Sequence, residues 1–127
     1  MATGSIRFEY DEGHDVYIVY PRWTIESEAD CKVWLQQYVD YFGRLGRKVD
    51  AIIVLDEFKL GERIGSVWGT YRAEVHKRFT RHSVRVHSDA KVGTYVSTSG
   101  VIHRVATDEA KDVETALRLI ELKRSRP

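Results

Sequence analysis

Residue types able to do chemistry are few in this 127-residue chain: five histidines (His14, His76, His82, His87 and His103) and one cysteine, Cys31. No histidine forms the i, i+4 pair around a glutamate that marks a helical zinc hydrolase, and one cysteine cannot build a structural zinc cluster. Neither a metal site nor a cofactor is therefore expected. Cys31 falls beside the apolar arc of a helical segment, where an inert buried thiol is expected rather than a nucleophile. No Ser-centred elbow of the form G-x-S-x-G is present. The expectation is a protein that is not an enzyme.

Two stretches call for closer weighing. "LDEFKLGERIGSVWGTYR", residues 55–72, runs from an apolar segment through mixed charges into three glycines spaced four apart. Gly61, Gly65 and Gly69 match neither a Walker loop nor G-x-G-x-x-G. Their spacing puts at least the last two on one helix stripe, where close packing is the expected role. Anion binding at the helix N-terminus is the alternative. Asp56 and Glu57 could divide acid and base roles only if their surroundings separated their pKa values. Neighbours in an extended segment point to opposite sides, so a solvated loop is expected. Farther on, Arg72, Lys77, Arg78, Arg81 and Arg85 face only Glu74 among nearby acids, an excess that could meet phosphates. The interleaved aromatics sit at core spacing rather than as stacking platforms, so a solvated helix face is expected and DNA is not an expected partner.

These candidates need a scaffold, and the chain has the composition of one. Apolar residues make up 43% and charged residues 31%, with a formal charge of +1, so no global field draws the chain to nucleic acid or membrane. The lone cysteine excludes an internal disulfide framework. "MATGSIRFEY" has no signal-peptide core, and the runs "VYIVY" and "AIIVL" are far too short for a membrane span. A cytoplasmic protein is expected.

"SIRFEY" alternates Ile6, Phe8 and Tyr10 with polar residues, "DEGHD" supplies a turn through Gly13, and "VYIVYPRW" resumes β-rich sequence. This pattern predicts a hairpin whose second strand ends at Pro21 or lies on an edge. Helical spacing follows from a Ser27/Asp30 cap through Trp34, Leu35, Tyr38, Tyr41, Phe42 and Leu45 to Gly46. Its wide apolar arc suits contact with a sheet and a second helix, or with a second copy of the chain in a homodimer. "DAIIVL" predicts a strand covered on both faces. Ile64, Val67, Trp68, Tyr71, Val75 and Phe79 predict a second helix, and "SVRVH" a strand. "SDAKVGTYVST" predicts a short helix, "VIHRVAT" a strand, and "DEAKDVETALRLIELKR" a terminal helix. The order β-β-α-β-α-β-α-β-α implies an α/β fold with a single open mixed sheet. The chain reads as one domain, 1–127, with residues 4–124 as its ordered core and frayed termini.

This order, together with "IIVLDEFKLGERIGSVWGTYR", resembles the STAS domain of sulfate-transporter tails and anti-sigma-factor antagonists. Within it the chain resembles bacterial single-domain antagonist-like proteins, often grouped with a lipid-carrier-like (SEC14-like) fold. The most specific match is Ile64-Gly65 followed by Gly69, Tyr71 and Arg72, resembling the start of the second helix in antagonists. The resemblance implies a non-catalytic regulatory module with a protein partner, either a regulatory kinase or an anti-sigma-like protein. In that family the partner kinase phosphorylates a serine after the third strand, and the added charge abolishes binding. Here Glu62 occupies the serine's place, between Gly61 and Arg63, and one carboxylate charge replaces the nearly two of a phosphate. Ser66 and Thr70 lie on the polar side of the helix as other modifiable positions. The implied partner-binding surface is Asp56, Glu57, Lys59, Gly61, Glu62, Arg63 and Ser66. The lipid-carrier side of the resemblance implies, as the alternative, a small apolar ligand held by Trp34, Tyr38 and Trp68.

Overall fold

The computed structural model describes residues 4–87 and 108–125. Its strands are β1 (Ser5–Asp11), β2 (Val16–Ile25), β3 (Val49–Val54), β4 (Phe58–Leu60), β5 (Thr80–Val86) and β6 (Asp108–Ala110). Its helices are α1 (Glu28–Phe42), α2 (Gly65–Phe79) and α3 (Val113–Ser125). One mixed sheet runs β1-β2-β3-β5-β6, with β4 attached to β2. The β1–β2 hairpin is antiparallel and every other pairing is parallel.

Period-two alternation along β2 divides the core. Tyr17, Val19, Trp23 and Ile25 join Trp34, Tyr38 and Phe42 of α1 and Trp68, Val75 and Phe79 of α2. Val16 and Ile18 face the other way, toward Ile52, Val84 and the α3 residues Ala116 and Ile120. β3 is thus covered on both sides, as its unbroken apolar run implies. The wide arc of α1 is filled within the chain: Trp34 meets Trp68 of α2 at 5.6 Å between centroids, and Tyr41 stacks on Phe8 of β1 at 4.1 Å.

Helix boundaries follow local chemistry. Ser27 Oγ accepts from Asp30 N at 3.2 Å, and Asp30 Oδ2 accepts from Glu26 N at 2.9 Å, closing the start of α1. Phe42 ends α1 before Gly46, which takes φ +67° in the following turn. Asp112 Oδ1 caps α3 by accepting from Thr115 N at 2.7 Å.

Four expectations are corrected. Pro21 neither ends β2 nor lies on an edge strand, since β2 runs on to Ile25 between two neighbours. β2 pairs with β3 over Tyr17–Val19 and with β4 over Trp23–Ile25, so the missing amide falls where the strand changes partner. Gly13 does not supply the left-handed turn residue. Asp15 does, at φ 53°, its carboxylate accepting from Tyr10 Oη at 2.8 Å and from Arg47 at 3.2 Å. The segment after β3 contains the short strand β4. Asp108–Ala110 forms β6 beside β5, and the terminal helix begins only at Val113. The helix expected over 88–98, the strand over 101–107 and His103 lie outside the described residues.

Candidate functional site

The exit of β3 is built from alternating pins and exposed charges. Leu55, Phe58 and Ile64 are buried, whereas Asp56, Glu57, Lys59, Glu62, Arg63 and Ser66 are exposed. Backbone bonds fix the path: Leu55 N donates to Val86 O at 2.7 Å, Trp23 N to Glu57 O at 3.2 Å, and Gly61 N to Ile25 O at 2.8 Å. The expected loop is therefore a ledge, with Lys59 standing out from β4. Gly61 packs closely there: a Cβ would stand 3.3 Å from Ile25 O, tighter than ordinary contact. Close packing also fits Gly69, buried in α2, but not Gly65, where a Cβ would meet open space.

α2 starts at Gly65 after Ile64, which offers no side-chain cap. Glu62 lies two residues before that cap position, exposed beside Arg63. Ser66 and Thr70 are exposed within the first turns, and Thr70 Oγ1 donates to Ser66 O at 3.4 Å. An open groove of about 430 Å³ borders the ledge, formed by Arg7, Tyr20 and Arg22 with Asp56 and Glu57. A second recess of about 390 Å³ adjoins it, between Arg22, Thr24 and Lys59. Arg22 pairs with Glu57, and the Arg7 guanidinium lies 4.2 Å from the Tyr20 ring centre. Arg7, Tyr20 and Arg22 were missed in the sequence because only strand pairing brings them here. Ser5 sits opposite Arg22, and Trp23 opposite Phe58. No local pattern carries that register.

The aromatic trio of the alternative is also brought together, with Trp34 4.7 Å from Tyr38 and 5.6 Å from Trp68. These rings line an interior space of about 30 Å³ between α1, α2 and the sheet. The basic run does not form one solvated face. Arg72 and Arg85 are buried, Arg78 pairs with Glu74 at 3.7 Å, and Arg81 pairs with Asp50 at 2.8 Å. His76 lies beside Arg72 and Arg85, and burial together with those two charges pushes its pKa down to about 3. A neutral ring results, its Nδ1 3.1 Å from Thr80 Oγ1 and 3.2 Å from Ser83 Oγ.

Cys31 is fully buried, and burial, helped by Asp30 and Glu28, pushes its thiol up to about 11. A rise of about two pKa units lowers the thiolate fraction roughly a hundredfold. Iodoacetamide at neutral pH is accordingly expected to label the native protein at least a hundredfold more slowly than the urea-unfolded chain. Equal labelling rates would show that the thiol is accessible.

The arrangement defines an open mixed α/β sheet flanked by helices on both faces, with a charged ledge at the exit of its third strand. A solved structure with a matching fold is that of an uncharacterized protein of the DUF3478 family from Shewanella loihica PV-4, described as having a SpoIIAA-like fold. The TM-score is 0.63 at 10% identity, over 94% of each chain. The fold is therefore SpoIIAA-like, as the resemblance carried by the element order and by residues 52–72 implied. No family model and no curated protein matches the sequence. No helix among the described residues is long and apolar enough to cross a membrane.

Proposed function

We propose that the chain is a non-catalytic regulatory module that binds a protein partner through the ledge from Asp56 to Ser66 and its bordering groove. The observation that carries this reading is the alternation of buried pins with exposed charges. Leu55, Phe58 and Ile64 hold the backbone while Asp56, Glu57, Lys59, Glu62 and Arg63 face solvent. Such a surface meets a partner with little reordering, and its mixed charges select partners and speed encounter more than they add affinity. Glu62 presents a fixed negative charge near the start of α2, so the docking state does not depend on phosphorylation at that position. The interior space of about 30 Å³ favours this reading over a carrier of a lipid-sized ligand, which would have to part α1 from α2.

The test is affinity capture with the double charge reversal Lys59→Glu and Glu62→Lys. Both side chains are exposed, so the melting temperature should move by no more than the effect of about 0.5 kcal/mol. The captured partner set should change or vanish. Capture indistinguishable from wild type would remove the ledge as the docking surface.

A further inference from the structure

We infer that the outer edge of β1 pairs antiparallel with β1 of a second copy of this chain, joining the two sheets across a two-fold axis at Phe8. This contact does not rest on the ledge reading. β1 ends the strand order, and no strand covers its outer side among the described residues. Ile6 N donates to Gln37 Oε1 at 3.0 Å, so this amide points away from β2. That orientation fits the register, because Pro21 lies opposite Ile6 and has no amide to return. The register is unbroken from Ser5 to Asp11. Phe8 and Tyr10 therefore present their N–H and C=O groups outward as Ile6 does.

Charge selects the occupant. Arg7 and Glu9 are exposed on one face of β1, 3.3 Å apart. An axis at Phe8 sets Arg7 opposite Glu9 of the second copy, and Glu9 opposite its Arg7. Both are non-hydrogen-bonded pairs, where facing side chains stand closest. An axis at Arg7 or at Glu9 would instead oppose like charges at its centre. Charges on an edge ordinarily deter pairing, but these two signs at this spacing admit the chain's own copy in one register. On the helix side the same axis sets Tyr10 opposite Ile6 of the second copy. Tyr10 at 45% and Val33 at 40% are two of the four large apolar side chains exposed among the described residues. Val33 stands one turn before Gln37 on α1, on the stripe that reaches this edge, so a second copy covers both. Gln37 then yields Ile6 N to the Tyr10 carbonyl of that copy.

Sedimentation velocity of the full chain, from micromolar to millimolar concentration, is expected to show a reversible monomer–dimer equilibrium. Amide exchange locates the contact: protection at Phe8 and Tyr10 should rise with concentration, while that at Val84 stays constant. Arg7→Glu and Glu9→Arg each oppose like charges and should weaken self-association about tenfold or more. Mixed in equal amounts, the two variants should form dimers again, because every facing pair is then of opposite sign. Misfolding of either variant could not produce that rescue. Arg7 also borders the groove beside the ledge, so the reversal Lys59→Glu with Glu62→Lys is run in parallel. It should dimerise as wild type, which keeps failure here distinct from failure of the docking surface. Three results would each overturn the inference: a monomer at every concentration, a mixture that is not rescued, or dimers that leave the Phe8 amide unprotected. A foreign extended peptide that protects Phe8 while the chain alone stays monomeric would overturn it too, assigning the edge to another partner.

Discussion

Asp50→Ala is expected to lower the stability of the chain by about 3 kcal/mol, seen as a fall of about 10 °C in melting temperature. The Asp50 side chain is fully buried and serves four donors. Arg81 gives two of them, at 3.1 and 2.8 Å, His82 N a third at 3.1 Å, and Arg124 Nε the fourth at 2.6 Å. Removing the carboxylate strands these donors near the irregular start of the β3–β5 ladder. Because both arginines are partly exposed, the lower end of the range for broken buried pairs applies. Burial alone would raise the Asp50 pKa, but Arg81 and Arg124 outweigh it and hold the carboxyl below its ordinary value. A depressed native pKa adds stability that is complete above the unfolded carboxylate value, about 3.9, and is lost as pH falls through the native value. Asp50→Asn should therefore lose less stability than wild type on acidification below about pH 4. Denaturant melts at neutral and acid pH check both effects. An alanine variant melting within about 2 °C of wild type would contradict them.

Phe58→Ala is expected to cost about 3–5 kcal/mol and to loosen the ledge selectively. The Phe58 ring is almost wholly buried and lies 5.2 Å from Trp68 between centroids. It anchors a strand of only three residues, so a cavity at this point frees β4 before the main sheet opens. Amide exchange at Leu60 and Gly61 should quicken more than at Ile52 or Val84, and partner capture should weaken. The charge reversals at Lys59 and Glu62 should instead alter capture without loosening the amides. If Phe58→Ala left the Leu60 and Gly61 amides as protected as in wild type, the ledge would be held by its backbone bonds alone.

Periodic signals were legible in the sequence because they report burial against a neighbour of any identity. The spacing of Trp34, Tyr38 and Phe42 fixed the inner face of α1, and Trp68, Val75 and Phe79 that of α2. Ile6 and Phe8 likewise marked the face of β1 that packs on the helices. What was not legible depends on partners distant in the chain. Pro21 sits inside the sheet because β4, far downstream, takes over from β3 beside it. Arg72 read as part of a solvated basic run, since only the approach of α1 and β5 encloses it. Asp50 looked like the polar start of a strand, and its guanidinium partners lie 31 and 74 residues away. The ledge was half visible: its charges were plain, but Arg7, Tyr20 and Arg22 reach it only through strand register.

Arg124 also donates to the carbonyls of His14 and Asp15, at 2.6 and 2.7 Å, across 110 and 109 residues. The last turn of α3 thereby clasps the tip of the first hairpin. On the ribosome this clasp cannot close until nearly the whole domain has emerged from the exit tunnel. The nascent chain must therefore wait with its first hairpin unclasped, and such high contact order slows the final step of folding.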